Sequence, residues 1–294
     1  MLQRVNALSP WLVKGSSMTI LVLADLHLDL WWEARRDPLT ALTPDDWAQL
    51  EAVIIAGDLT NKPKIRWKYA IRRIARHIDA SRIHIIPGNH DYYDHTLDGD
   101  DRLAEIAVAE GAQLAQKRVL TFGGVRFLCC TLWTDFELHG PPATAQARAA
   151  ERMNDYRYIR LARAGYRKIR PGDTTARHTD HRAWLSDQLA RPFTGATVVI
   201  THHCPHPDLV TPGMGELGAA YGSDLRVLID QHRPAVWLFG HTHHRGQIRQ
   251  GATWLRNVSL GYPDDCAPGR ERDILKRGTV TTDGHKARLR ELAR

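Results

Sequence analysis

The sequence is poor in cysteine, with four in 294 residues: Cys129, Cys130, Cys204 and Cys266. They form no Cys-x-x-Cys pair and no disulfide-rich spacing, which excludes a disulfide-stapled scaffold and predicts reduced, mostly buried thiols of a cytoplasmic protein. Long hydrophobic runs are absent too. None approaches the roughly 20 residues that cross a bilayer, and the opening residues carry neither a long apolar stretch nor a small-residue cleavage site. The expectation is a chain that is neither secreted nor membrane-embedded. Also missing are low-complexity tracts, fixed-period repeats and the interleaved aromatic and basic residues of a single-strand groove. Acidic excess is lacking as well: 40 Lys and Arg outweigh 33 Asp and Glu, for a net charge of +7. That sign attracts anionic partners; arginine-rich solvent faces that keep the protein soluble account for it equally well.

What is present is an ordinary globular composition, 43% apolar and 25% charged, on a chain long enough for one large domain or two small ones. Sixteen histidines carry more weight than the charge, because imidazole is the commonest borderline-soft metal ligand. The most informative stretch is Ile83-His84-Ile85-Ile86-Pro87-Gly88-Asn89-His90-Asp91. Its branched apolar run reads as a covered strand, and Pro87-Gly88 turns the chain where Asn, His and Asp begin. Such a turn could equally cap a helix, so the reading depends on repetition of the design elsewhere.

The design does repeat. Thr19 to Leu23 is an apolar strand running into Asp25 and His27, which share a face because alternate residues of an extended segment do. Ala52 to Ala56 is a second strand, and Gly57 allows the tight turn that exposes Asp58. Thr197 to Ile200 ends at His202-His203-Cys204, and Ala235 to Phe239 ends at Gly240-His241-Thr242-His243. Helices are predicted near 44–50, over 63–78 with Pro63 in its first turn, over 101–110, 174–189 and 224–231. Hairpins are predicted at Gly123-Gly124, around 247–258 and at Asp283-Gly284. Trp31 and Trp32 are expected to pack or to wall the site. Strands alternating with amphipathic helices argue for an α/β sandwich with parallel strands covered on both faces, and ligands in such folds gather beyond the strands' carboxyl ends. Residues 1–17, before Met18, are expected to be a dispensable extension. The segment of about 134–173, Ala-rich with arginines at 148, 152, 157, 160, 163 and 167, is expected to be a helical cap, its arginines either an anion-attracting lid or a plain exposed face.

Seven donors thus end five strands: Asp25, His27, Asp58, Asn89, His202, His241 and His243. That exceeds what one ion takes, and two ions sharing a carboxylate account for it. Nitrogen and oxygen donors without thiolate suit Mn, Fe or Zn better than Mg or Ca.

The blocks Asp25-Leu26-His27, Gly57-Asp58, Gly88-Asn89-His90-Asp91, the His202 segment and Gly240-His241-Thr242-His243 resemble, in order, those of the calcineurin-like metallophosphoesterases. The resemblance implies a four-layer α/β/β/α sandwich with two facing mixed sheets and a dinuclear site of two divalent or trivalent ions at the strand carboxyl ends. It implies Asp25, His27 and His243 on one ion, Asn89, His202 and His241 on the other, and Asp58 bridging. It further implies attack of a metal-bridging hydroxide on phosphorus, with His90 stabilising the transition state or protonating the leaving oxygen and Asp91 fixing its tautomer. Asn154, Asp155 and Tyr262 are expected at the substrate, and His203 either there or behind the ligands. Asp58 is followed by Leu59-Thr60-Asn61 and His90 by Asp91, where protein phosphatases of this superfamily have other residues, so the pattern is more similar to the small bacterial phosphodiesterase branch. A small phosphorylated substrate, more readily a diester, is the expected partner. A phosphomonoesterase, a nuclease acting on nucleic acid, and a non-catalytic metal-binding scaffold are the alternatives.

Overall fold

The computed structural model describes residues 17–138 and 140–291. All but the last residue of the expected 1–17 extension lies outside that range. Fourteen strands run through the described residues: β1 (Met18–Leu23), β2 (Leu50–Ala56), β3 (Ile83–Ile86), β4 (Gln113–Leu114), β5 (Arg118–Phe122), β6 (Val125–Cys130), β7 (Arg160–Leu161), β8 (Arg167–Lys168), β9 (Thr197–Thr201), β10 (Val236–Phe239), β11 (Gln247–Gln250), β12 (Thr253–Asn257), β13 (Thr279–Asp283) and β14 (Lys286–Leu289). One sheet has the order β14-β13-β1-β2-β3-β4 and the other β11-β12-β10-β9-β6-β5. Strands β1, β2, β3 and β4 pair parallel, with β13 and β14 added antiparallel on the β1 side; β6, β9, β10 and β12 pair parallel, with antiparallel β5 and β11 at the two edges.

The apolar runs lack polar alternation because both faces of each strand are covered. Ile20, Val22, Ile54 and Ile86 face Phe127, Val198, Ile200 and Leu238 in the layer between the sheets. The alternate residues Leu21, Leu23, Val53, Ile55 and Ile85 point outward into a second cluster with Trp67, Ile71, Ile74 and Leu103. Those last four come from helices Pro63–Ile74 and Asp100–Ala109. Across the molecule, Leu128, Val199, Trp237 and Phe239 pack on Leu185, Leu189 and Ile229 of helices Pro171–Ala190 and Arg226–His232. This is the expected order of layers: helix, sheet, sheet, helix.

The parallel register decides where the chemistry falls. Leu23 aligns with Ile55, Ala56 with Ile86, and Leu238 with Ile200, so all five ligand-bearing turns leave the same edge of the sandwich. There the sheets are joined directly: Ala24 bridges Ser259, and the Leu260 and Gly261 N–H groups donate to the carbonyls of Ala24 and Asp25.

Two local readings change, and one short helix is new. Trp31 packs in a one-turn helix, Leu28–Glu33, that the pattern did not disclose; its ring is fully buried and its Nε1 donates to the Gly261 carbonyl at 3.0 Å. Helix Pro63–Ile74 stops short of residue 78. The 134–173 segment is not helical throughout: after helix Pro142–Arg152 and a single turn, Asp155–Tyr158, it forms the β7–β8 ribbon. The ribbon turns at Gly165, φ 70°, and Arg160 is pinned by a bridge to Thr96.

All four cysteines are free and buried. Among the described residues no helix is long and apolar enough to cross a membrane.

Candidate metal centre

Five of the seven expected donors sit in left-handed backbone: Asp25 (φ 52°), His27 (40°), Asp58 (58°), His241 (64°) and His243 (51°). That conformation costs roughly 1 kcal/mol per residue and is tolerated best by Asp, Asn and His; a cluster of it at strand tips marks a site that the surroundings hold in place. Two glycines make room for the approach. A Cβ on Gly57 would run into the His202 ring, and one on Gly88 into the Asp58 carboxylate.

The donors converge in overlapping groups. One donor atom from each of Asp25, His27 and His243 lies within 4.8 Å of the others, as in Asp58, His202 and His241, and in His27, Asp58 and His90. His202 has its Nδ1 2.9 Å from the Ala56 carbonyl, which commits that nitrogen's proton and leaves Nε2 facing Asn89 Oδ1 at 3.0 Å and Asp58 Oδ1 at 3.5 Å. Asn89 is turned that way because its Nδ2 donates to Asp155 at 2.8 Å. His243 Nδ1 meets Asp265 at 2.7 Å, while its Nε2 lies 3.3 Å from His27 Nε2 and 3.4 Å from Asp25. Asp25 is held by the His241 N–H and by Ser259 Oγ at 2.6 Å.

This arrangement carries an unresolved charge conflict. Burial, then the neighbouring Asp25 and Asp91, push the Asp58 carboxyl well above the usual carboxylate range. Burial also raises Asp25, but the His243, His202 and His27 imidazoles outweigh it and hold that carboxyl low. Burial and adjacent imidazoles drive His27 and His241 well below the ordinary histidine value, leaving neutral rings with free lone pairs. The His241 Nε2 is buried without a hydrogen-bond partner. Facing lone pairs and crowded carboxylates are what a cation resolves, so the residues fit the metal ions their chemistry implies.

A family model described as calcineurin-like phosphoesterase matches residues 18–245. The chain belongs to the calcineurin-like phosphoesterases. An uncharacterized protein of Acanthamoeba polyphaga mimivirus is 22% identical over 252 residues, 79% of this chain and 82% of that one. Among solved structures, phosphopantetheinyl hydrolase from Mycobacterium tuberculosis superposes with a TM-score of 0.64 at 18% identity, covering 85% of this chain and 92% of that chain; at that identity the likeness is one of fold. The family implies a phosphoester hydrolase using divalent metal ions, and the donor set suits them.

Asp91 requires a correction within this phosphoesterase. Expected to fix the His90 tautomer, it instead organises the turns. Its two oxygens accept from the N–H groups of Asp58 (2.7 Å), Gly88 (2.9 Å), Leu59 and Thr60, and from Trp67 Nε1 at 2.8 Å. The His90 Nδ1 lies 2.9 Å from Asn61 Oδ1. Asn61 cannot turn away, since its N–H and Nδ2 both donate to buried Asp29 at 3.2 and 3.0 Å. The Asp91→Asn variant would present an amide nitrogen to these donors. It is expected to lose about 3 kcal/mol of stability, read as a lower urea midpoint; an unchanged midpoint would return Asp91 to a minor role.

The cleft over the centre, about 440 Å³, is lined by Asp58, Asn89, His90, His241, His243 and Tyr262. Tyr262 and Asn154 line this cleft, and so does Asp155, which bonds Asn89 and, at 2.7 Å, Tyr93. His203 does not reach it. That ring is buried behind His241, 4.3 Å between centroids, with Nδ1 on the Thr131 carbonyl, because the residue after the ligand turns back toward β6. Met153, Met214, Leu217 and Arg152 also line the cleft, and Tyr221 stacks on the His241 ring at 4.7 Å between centroids. Arg157 and Arg160 donate instead to the carbonyls of Glu151 and Tyr166 and line no part of it. Sequence reasoning overlooked Asn61, Asp265 and Ser259. Asn61 stands three residues after Asp58, and nothing distinguished Asp265 from Asp264.

Proposed function

We propose that this chain hydrolyses small phosphodiesters at a dinuclear centre. The observation that carries the reading is the central place of Asp58, whose two oxygens face His27 at 3.7 Å and His202 at 3.5 Å and which groups with His202 and His241 and with His27 and His90. Asp25, His27 and His243 would hold one ion, Asn89, His202 and His241 the other, with Asp58 between them. Bound ions supply Lewis acidity at the phosphoryl oxygens and lower the pKa of water. The protein supplies the rest. His202 and His243 are oriented by Ala56 and Asp265, which fixes the nitrogens that point inward. His90, stacked on Tyr93 at 4.3 Å, has Nδ1 committed to Asn61; burial and then His202 bring the ring down to about 3, so Nε2 rests unprotonated and relays to the leaving oxygen a proton taken from solvent. Segment 134–173 acts as a cap through Arg152 to Asp155.

Diester preference rests on the walls. Arg152 is the one Lys or Arg among the cleft's described lining, and its apolar lining is Met153, Met214 and Leu217 with the Tyr221 ring. A monoester dianion gains little from such a surface, whereas a diester places one charge at the centre and a second organic arm against apolar side chains. The fold it shares with a phosphopantetheinyl hydrolase is compatible with such a substrate.

The test is metal analysis together with hydrolysis of bis-p-nitrophenyl phosphate and p-nitrophenyl phosphate in added Mn²⁺. Retained metal and faster turnover of the diester are expected; no metal and no hydrolysis of either would sink the enzyme reading. Arg152→Ala should raise KM for the diester by roughly fivefold, the scale of one partly exposed charge contact. Arg157→Ala should leave KM where it was, and a reversed order would move the cap's contact to Arg157.

A further inference from the structure

A second cleft, of about 420 Å³, lies beside the metal centre and shares Asp265 with the first. Its cationic lining is Arg245, Arg270, Lys276, Arg277 and Arg290. Two of these have local carboxylate partners: Lys276 pairs with Asp46 at 2.5 Å and Arg270 with Asp273 at 3.7 Å. The other three do not. Arg245 donates to the carbonyls of Ser259, Leu260 and Asp265, and half-buried Arg277 to those of Asn257 and Arg245. Among the described residues neither they nor exposed Arg290 forms an ion pair with a carboxylate. Asp265, on the shared wall, is engaged by the His243 ring and the Tyr262 N–H. The remaining acidic group of the lining is the exposed Glu291. Just outside the lining, buried Arg256 adds another positive charge, its Nη1 on the Arg277 and Arg290 carbonyls.

Three guanidinium groups collected round one cavity, two of them answered by carbonyl dipoles and none by a carboxylate among the described residues, leave an excess positive charge. Burial and Arg245 pull the Arg277 guanidinium below its ordinary value, and burial and Arg277 bring Arg256 down to about 10. With Nε and Nη2 of Arg245 and Arg277 on carbonyls, Nη1 of each and the whole fork of exposed Arg290 are the groups that can donate to phosphate oxygens, and the cavity has the size of a small-molecule site. We propose that this cleft binds a small anion carrying at least two phosphate charges, at Arg245, Arg277 and Arg290, separately from the metal centre. The proposal goes beyond the phosphoesterase reading and does not depend on it.

Inorganic pyrophosphate is the probe, titrated calorimetrically into the full chain as isolated and again after metal removal. Binding is expected in both states. It should weaken roughly tenfold or more in Arg277→Gln, the scale of losing a charge-assisted contact. Arg290→Glu, at an exposed side chain that pairs with no carboxylate among the described residues, should weaken it similarly with the fold retained, while bis-p-nitrophenyl phosphate kinetics stay at the wild-type level in that variant. Equal affinity in the wild type and Arg290→Glu, binding that disappears with the metal, or no binding at millimolar pyrophosphate would each overturn the site.

Discussion

Asp58→Asn is expected to abolish phosphoester hydrolysis, lowering kcat by at least roughly a thousandfold, and to reduce bound metal to less than one ion per chain. Asparagine suits this position sterically. It tolerates the left-handed backbone found there, φ 58°, and its Oδ1 can keep the 2.8 Å bond from the His90 N–H. What it removes is the negative charge that stands in the Asp58, His202 and His241 group and in the His27, Asp58 and His90 group. The same charge is a burden on the metal-free protein, since burial and the carboxylates of Asp25 and Asp91 oppose its ionisation. The metal-free variant should therefore melt above the metal-free wild type, while gaining little when Mn²⁺ is added, because a ligand stabilises only in proportion to its binding. A variant that keeps wild-type metal content and turnover would remove Asp58 from the shared position.

The layers and strand tips were legible because they rest on one-dimensional signals. Covered parallel strands read as continuous branched runs, and β3 falls at Ile83–Ile86, where that run was read. Breakers at Gly57, Pro87-Gly88 and Gly240 announced where side chains leave the sheet. What stayed hidden depends on separation in space. Asp91 adjoins His90 in sequence, so pairing them was the natural expectation, yet the short helical turn His90–Tyr92 sends the two side chains apart: one to the N–H groups of the Asp58 turn, the other to the cleft. Asn61 reaches His90 across 29 positions and Asp265 reaches His243 across 22. Their types carry no mark, since an amide or carboxylate in a loop serves a turn as readily as a site. The β7–β8 ribbon was missed for a different reason: its strands are two residues long and arginine-rich, and their pairing is stabilised by Thr96 rather than by any apolar alternation of their own.

His90 and Asn61 should behave as one unit in kinetics. His90→Ala is expected to lower kcat for diesters with poor leaving groups by roughly a hundredfold or more, and for bis-p-nitrophenyl phosphate by far less, because p-nitrophenolate departs without a proton. Asn61→Ala leaves the imidazole in place, with its stack on Tyr93 at 4.3 Å, but frees Nδ1. The ring can then flip or change tautomer, so the loss should be smaller, roughly tenfold, and carried by kcat with KM unchanged. Orientation has no value once the ring is gone. The double variant should accordingly be no slower than His90→Ala alone, a coupling equal to the whole effect of Asn61. Asp29 offers the control: Asn61 is held by it, so Asp29→Ala should reproduce the Asn61→Ala phenotype if aiming His90 is what Asn61 does. Additive losses from His90→Ala and Asn61→Ala would instead place Asn61 in contact with substrate, and equal losses for good and poor leaving groups would make His90 a stabiliser of charge and not a proton donor.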